Sequence, residues 1–240
     1  MKQESWRRLF PWRRTEPLPG ARSRLDGQLV VLREKRLSDI ERDYAWRTDP
    51  ELAELDATSP IRLTVEEYTR YYRDELDHPS PWSVRYAVET RDGDHIGNTM
   101  YYDVDRSKSR TELGIMIGDR DYWGRGYGTD AVLILLRSIF EDVRLGSVYL
   151  HTLNHNTRAQ KAFRKAGFYD VRNVRRDGRM FLRMEVARED WLDRFGVTDT
   201  GDETHAGVGE AADAAGGNAA HQAEGDPALN QPRDAGGRAP

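Results

Sequence analysis

The chain has 240 residues, 37 basic and 41 acidic side chains, a formal charge of −4 and no cysteine. That length fits one or two domains. Without cysteine there is no disulfide framework, thiolate metal site or cysteine nucleophile. The slight acidic balance argues against a general nucleic-acid binder, whose domain pI usually exceeds about 9. No apolar run approaches the ~18 residues that a membrane-spanning helix needs, which predicts a soluble chain.

Charge is unevenly spread. Residues 1–27 hold seven Lys/Arg against three acids, and Trp6, Leu9, Phe10 and Trp12 lie among arginines in SWRRLFPWRR. Pro11 limits any helix there to about ten residues, too short to be stable alone. No apolar stretch follows the paired arginines as an export signal would require. The segment is expected to be a flexible basic leader, and residues 28–195 one compact domain.

QLVVLREK (28–35) reads as a first strand, and Ser38-Asp39-Ile40-Glu41 has the form of a capping box opening a helix to about Arg47. Thr64-Val65-Glu66-Glu67 repeats the device for a helix to about Leu76. WSVRYAVET, an Asp92-Gly93 turn and HIGNTMYYDVD form a hairpin, followed by the strand TELGIMIG (111–118). A long helix carries Val132, Leu136, Ile139, Phe140 and Val143 at helical spacing. SVYLHTL (147–153) is a further strand. Asn156 caps a helix that Gly167 ends, and a hairpin around Asp177-Gly178 and a short helix, REDWLDRF, close the domain. Residues 196–240 are an acidic tail. Its last 42 residues contain 19 Ala or Gly and eight acids, too little apolar surface to offset chain entropy, so it is expected to be disordered.

The chemistry concentrates in Trp123-Gly124-Arg125-Gly126-Tyr127-Gly128-Thr129, a glycine-rich loop between a strand and a long helix. Unpaired amides at a helix N-terminus favour an anionic phosphate. A P-loop would need Gly-Lys-Ser/Thr. A dinucleotide fold would need the glycines at the strand end and an acid closing the next strand. Both are absent. His151 and His155 are four apart but at a strand end and in a loop, so they do not share a helix face as zinc ligands do, and no metal is expected.

The run ELGIMIGDRDYWGRGYGTDAV with NTRAQKAFRKAGF some twenty residues later resembles the GNAT superfamily of N-acetyltransferases. With LREKRLSDIERDYAWRTDPEL it is most similar to the RimJ/RimL-like branch, over roughly residues 28–190. The resemblance implies an α/β (α+β) fold, a mixed, mostly antiparallel sheet of about seven strands, splayed in the middle, with helices on both faces. It also implies acetyl-CoA as co-substrate. Gly124, Arg125, Gly126, Tyr127, Gly128 and Thr129 would hold the pyrophosphate through backbone amides. Ile115 and Ile117 would bond the pantetheine arm like an added strand, with a nearby amide for the oxyanion, and Asn156 would bond the same arm.

The resemblance predicts an N-acetyltransferase of the cytoplasm, monomer or homodimer, acting by direct attack of a primary amine in a ternary complex. Many members carry a tyrosine where Phe163 stands, as the acid for the departing thiolate; Tyr149 or Tyr169 are the substitutes. A thiol of pKa near ~8.5 is a competent leaving group, whereas an alkylamine near ~10.4 must shed a proton before it attacks. Glu112 is the candidate base; otherwise it is a strand-end carboxylate paired with Arg110 or Arg120. The acids Asp49, Glu51, Glu54 and Asp56 form either a wall that attracts a cationic amine or a solvated helix face. Tyr68, Tyr71 and Tyr72 line the acceptor groove or pack the core. The acceptor is then a small amine or a protein N-terminus, with no direct contact to nucleic acid. A non-catalytic acyl-CoA-binding module is the alternative that Phe163 favours.

Overall fold

The computed structural model describes residues 21–80 and 82–196. Most of the basic leader and the acidic tail lie outside the described residues. The elements are β1 (Arg24–Asp26), β2 (Val30–Glu34), α1 (Ile40–Thr48), α2 (Pro50–Leu55), α3 (Val65–Asp77), β3 (Val84–Thr90), β4 (His95–Asp105) and β5 (Arg110–Ile117). They continue with α4 (Tyr127–Arg137), β6 (Ser147–Leu153), α5 (Thr157–Lys165), β7 (Tyr169–Arg176), β8 (Arg179–Ala187) and α6 (Arg188–Phe195). No helix among the described residues is long and apolar enough to cross a membrane.

One sheet runs β1-β2-β3-β4-β5-β6-β8-β7. Every neighbouring pair is antiparallel except β5 and β6, which are parallel. One sheet face buries Leu32, Val88, Leu113, Leu150 and Met184 against Val132, Leu135 and Leu136 of α4. Each such aliphatic side chain contributes about 1.5–3 kcal/mol on burial. Beyond Arg137 the helix widens into a π turn over Ser138–Val143, which keeps Ile139 and Phe140 in the core.

The other face is covered by α1 and α3 over a buried ionic network. Arg33 holds Asp39 through two bonds of 2.9 and 2.8 Å and also engages Glu89. Lys35 meets Asp43 and Asn98, and Tyr72 donates to Asp43 at 2.9 Å. Burial pushes the Asp39 carboxyl up, but the bonds from Arg33 and the Arg36 amide, with His95 nearby, pull it below its ordinary value.

Two expectations change here. The folded domain begins before residue 28: Arg24–Asp26 is an eighth strand, with Leu25 buried opposite Leu32 while Arg24 and Asp26 pair on the solvent side at 2.9 Å. One buried side chain in three residues leaves no periodic signal. The Ser38 capping box does not form, because Arg33 draws Asp39 inward. Leu37–Asp39 is a 3-10 turn in which Asp39 accepts the Arg36 amide at 2.8 Å. The second box is present, with reciprocal bonds between Thr64 and Glu67 at 2.9 and 3.2 Å.

Candidate active site

The fork in the sheet follows from how little of β5 and β6 is paired. Their register covers only Arg110–Glu112 with Ser147–Tyr149, after which the strands diverge. A Cβ on Gly97 would overlap the Met116 carbonyl, so that carbonyl points toward β4. Strand alternation then turns the amides and carbonyls of Ile115 and Ile117 into the fork. The carbonyl of Ile117 is already taken there, by the indole N–H of Trp123 at 2.6 Å.

The glycine loop stands at the mouth of this fork. Gly126 caps α4 with φ of +95°, a backbone conformation that favours glycine. Among the described residues, no amide from Gly124 to Thr129 has a hydrogen-bond partner; the first helical bond is from Asp130 to the Gly126 carbonyl at 2.9 Å. The Asp130 carboxylate accepts from the amides of Gln28, Leu29 and Val30 at 3.2, 2.7 and 3.0 Å, which fixes the helix start against the β1–β2 turn. Six free amides on an anchored helix end form a nest for an anion.

A cavity of about 390 Å³ runs from this nest along β5. Ile115 and Ile117 floor it, Gly124, Gly126, Gly128 and Thr129 form one bank, and the start of α5, with Asn156, Arg158 and Lys161, forms the other. Leu52 and Leu55 of α2 border it as well. The Asn156 carboxamide caps α5 by accepting the Ala159 amide at 3.2 Å. The Arg158 guanidinium lies 3.4 Å from the centre of the Trp123 ring. Arg120 ties the loop to α2 through Asp49 and Glu51, at 2.9 and 2.7 Å.

Glu112 lies at the foot of the fork, where β5 and β6 part. Its carboxylate takes a 2.8 Å bond from Nδ1 of His151, with 11% and 7% of the two side chains exposed. Tyr102 is its cross-strand neighbour on β4. Burial alone would raise the Glu112 carboxyl; the His151 bond and charge, Tyr102 and Arg176 outweigh it and leave it below its ordinary value. An ionised carboxylate only accepts, so Nδ1 carries the hydrogen; in the neutral ring Nε2 is then the nitrogen with the lone pair. Among the described residues Nε2 has no hydrogen-bond partner.

The profile of the acetyltransferase (GNAT) domain matches residues 30–169, more than half of the chain. The chain belongs to the GNAT acetyltransferases. Solved structures share its fold. A spermidine N-acetyltransferase from Vibrio cholerae, in complex with CoA and spermine, is 17% identical with a TM-score of 0.60 over 68% of this chain and 98% of its own. An aminoglycoside acetyltransferase in complex with coenzyme A is 20% identical, with a TM-score of 0.57 over 69% and 98%. A GNAT-family acetyltransferase from Bacillus anthracis is 13% identical, with a TM-score of 0.58 over 69% and 99%. GNAT enzymes use acetyl-CoA, and the free amides, open strand edge and cavity of this chain fit that co-substrate.

Set against this GNAT frame, Ile115, Ile117, Gly124, Gly126, Gly128, Thr129 and Asn156 all border the cavity. Arg125 and Tyr127 do not. The Arg125 side chain folds back onto the Asp121 carbonyl at 3.0 Å and lies over the rings of Tyr122 and Tyr127, so these two positions offer only backbone amides. Phe163 borders the cavity and packs edge-on against Phe168. Neither proposed substitute acid reaches the cavity. Tyr169 is half exposed on β7, and Tyr149 lies between Arg110 and Arg183. Glu112 pairs with neither Arg110 nor Arg120, and it stays outside the cavity lining.

The acidic wall of the α1–α2 segment is largely neutralised. Asp49 caps α2 and binds Arg120, Glu51 shares that arginine, and Asp56 pairs with Arg47 at 3.2 Å. Tyr68 and Tyr72 are core residues; Tyr71 is exposed and donates to Glu75 at 2.7 Å. The residue missed from sequence is His151. Two-residue alternation places it on the sheet face of Tyr149, and the β5–β6 register places Tyr149 beside Glu112. Only that register, which no local motif encodes, joins the two.

Proposed function

We propose that this acetyltransferase passes an acetyl group from acetyl-CoA directly to a primary amine, with Glu112 and His151 acting together on the amine proton. The observation that carries the reading is the continuity of the fork: free amides at its mouth, an open strand edge along it, and the paired carboxylate and imidazole at its foot. Bound acetyl-CoA supplies an activated thioester carbonyl. The chain's own residues then have three tasks. The loop from Gly124 to Thr129 binds the diphosphate, with Asn156 beside the arm. The amides of Ile115 and Ile117 orient the arm and stabilise charge that develops on the carbonyl oxygen. His151 Nε2 removes the amine proton while Glu112 orients the ring and balances the imidazolium charge.

Position favours this division of labour over Glu112 acting alone. Ile115 is three residues along β5 from Glu112, about 10 Å at 3.3 Å per residue. His151 lies two residues farther up β6 than the partner of Glu112, closer to the open part of the fork. No tyrosine replaces Phe163 at the leaving thiolate, and none is required for a leaving group of pKa near ~8.5.

The segment from Leu32 to Leu52 supports membership of the RimJ/RimL-like branch, and use of acetyl-CoA supports a cytoplasmic enzyme. The first test is a thermal-shift titration of the full chain with acetyl-CoA, followed by acceptor-dependent thiol release. A ligand at about 100 times its Kd adds roughly 2.7 kcal/mol. That is a rise of about 5–11 °C for a domain of this size. Phe163 also suits a non-catalytic acyl-CoA-binding module. A thermal shift with no thiol release for any amine would select that module instead.

A further inference from the structure

The sheet face that carries His151 is basic. Cross-strand pairs share a face, so the register places Arg183 beside His151, Arg172 opposite Arg183, and Arg176 opposite Arg179 on this one surface. Arg110 reaches the same surface from β5. Its guanidinium lies 5.7 Å from the Tyr149 ring centre, and that of Arg183 lies 4.8 Å from it. Tyr149 in turn meets His151 edge-on at 5.8 Å. Two like charges are therefore held against one ring beside the candidate base.

The acids near this surface are few and mostly engaged. Glu112 is bonded to His151, and Glu185 to Arg183 at 2.9 Å. Asp103 is exposed at the bulge of β4. Of the acids along α2, Asp49 and Glu51 are held by Arg120 and Asp56 by Arg47, Glu54 is exposed, and Arg179 reaches the Ala57 carbonyl. Among the described residues Arg110, Arg172 and Arg176 form no ion pair. The Nε of Arg183 is buried without a hydrogen-bond partner, on a side chain 17% exposed. An orphaned buried donor on a cation costs about 1–3 kcal/mol or more, and an incoming anion relieves that cost. A polycationic acceptor would instead meet this surface with like charge.

We propose that the acceptor amine bears a carboxylate a few bonds away, seated by Arg183 and Arg110 while its nitrogen faces His151. The inference rests on acetyl transfer at this fork and adds the acceptor's charge. The full-length protein would be assayed by thiol release at saturating acetyl-CoA. Its acceptors would be matched pairs: β-alanine and β-alaninamide, glutamate and its diamide, and short peptide amides beginning with Asp or Asn. Spermidine and kanamycin serve as cationic controls. The free amino acids and the Asp peptide distinguish a small acceptor from an acidic N-terminus.

The expected result is that kcat/KM for an acid exceeds that for its amide about tenfold or more, the worth of one charge-assisted hydrogen bond. Arg110→Gln and Arg183→Gln should erase that ratio by raising KM for the acid, with the thermal shift from acetyl-CoA retained. Arg183→Gln leaves Glu185 unpaired and can disturb folding. Arg110→Gln breaks no ion pair among the described residues and decides the matter alone. Equal or better turnover of the amides or of spermidine overturns the proposal, as does failure of every carboxylate acceptor with the acetyl-CoA shift present. Loss of that shift would instead bring down the acetyl-transfer reading on which the proposal stands.

Discussion

Replacing Glu112 with Gln tests the paired base most directly. The carboxylate is 2.8 Å from His151 Nδ1, and both side chains are about nine-tenths buried. At an effective dielectric of 20, opposite charges about 4 Å apart attract by about 4 kcal/mol. A transition state that develops half to all of the imidazolium charge would lose about 2–4 kcal/mol in the amide variant. At 1.36 kcal/mol per factor of ten, kcat should fall about 30- to 1,000-fold. The amide can also donate to Nδ1, which would turn Nε2 into a donor and remove its lone pair. His151→Asn should cost as much, and the double variant little more, because the two act as a unit. Acceptor-dependent thiol release at saturating acetyl-CoA measures the loss, with the acetyl-CoA thermal shift as control for cofactor binding. The Glu112 carboxyl lies below its ordinary 4.5, so it stays ionised over pH 6–9, and the loss should persist across that window. A Gln variant within threefold of the parent at pH 7–9, or losses that multiply in the double variant, would refute the pairing.

Three other perturbations read the scaffold. Asp39→Asn leaves the buried Arg33 guanidinium with Glu89 alone, and breaking a buried pair costs about 3–5 kcal/mol. The melting temperature should drop by about 6–20 °C. The Asp39 pKa is depressed in the folded state, so its stabilisation is complete above the ordinary 3.8 and disappears as pH falls through the folded value. Denaturant titrations of parent and variant should therefore differ by a constant amount above about pH 5 and converge in stronger acid. Gly118→Ala would drive a Cβ into the Trp46 ring, and overpacking of that kind destabilises by about 1–3 kcal/mol on thermal melts. Trp123→Phe removes the 2.6 Å bond that ties the glycine loop to Ile117. Losing about 0.5–1.5 kcal/mol should weaken acetyl-CoA about 2- to 10-fold by calorimetric titration, and an unchanged Kd would dissociate that bond from the cofactor site.

What the sequence reveals divides by range. β6 is found at its expected limits, Ser147–Leu153, because strand alternation bounded by turn residues is a local signal. The Thr64–Glu67 box and the Asn156 cap form because each bond spans only three residues. The Ser38 box has the same hydroxyl-to-Glu spacing and fails, because Arg33, six residues from Asp39, draws that carboxylate into the core. β1 pairs through one buried leucine, which no periodicity detects. His151 joins Glu112 across 39 residues, through a register set by how far β5 and β6 stay together.

Charge was the least legible property, and the reason bears directly on the acceptor. In the chain, Asp49, Glu51, Glu54 and Asp56 form a dense acidic run, while Arg110, Arg172, Arg176 and Arg183 are scattered over more than seventy residues. Folding reverses their availability. Asp49, Glu51 and Asp56 meet Arg120 and Arg47, and only the exposed Glu54 keeps its charge outside those pairs, so much of their field is cancelled. The arginines converge through the pairing of β5, β6, β8 and β7 on one face, where Glu112 and Glu185 are already bonded. A ligand responds to the charge left over after such pairing, focused where low-dielectric walls limit screening. On that measure the site favours an amine that brings its own negative charge, although the linear run of acids points to a cation.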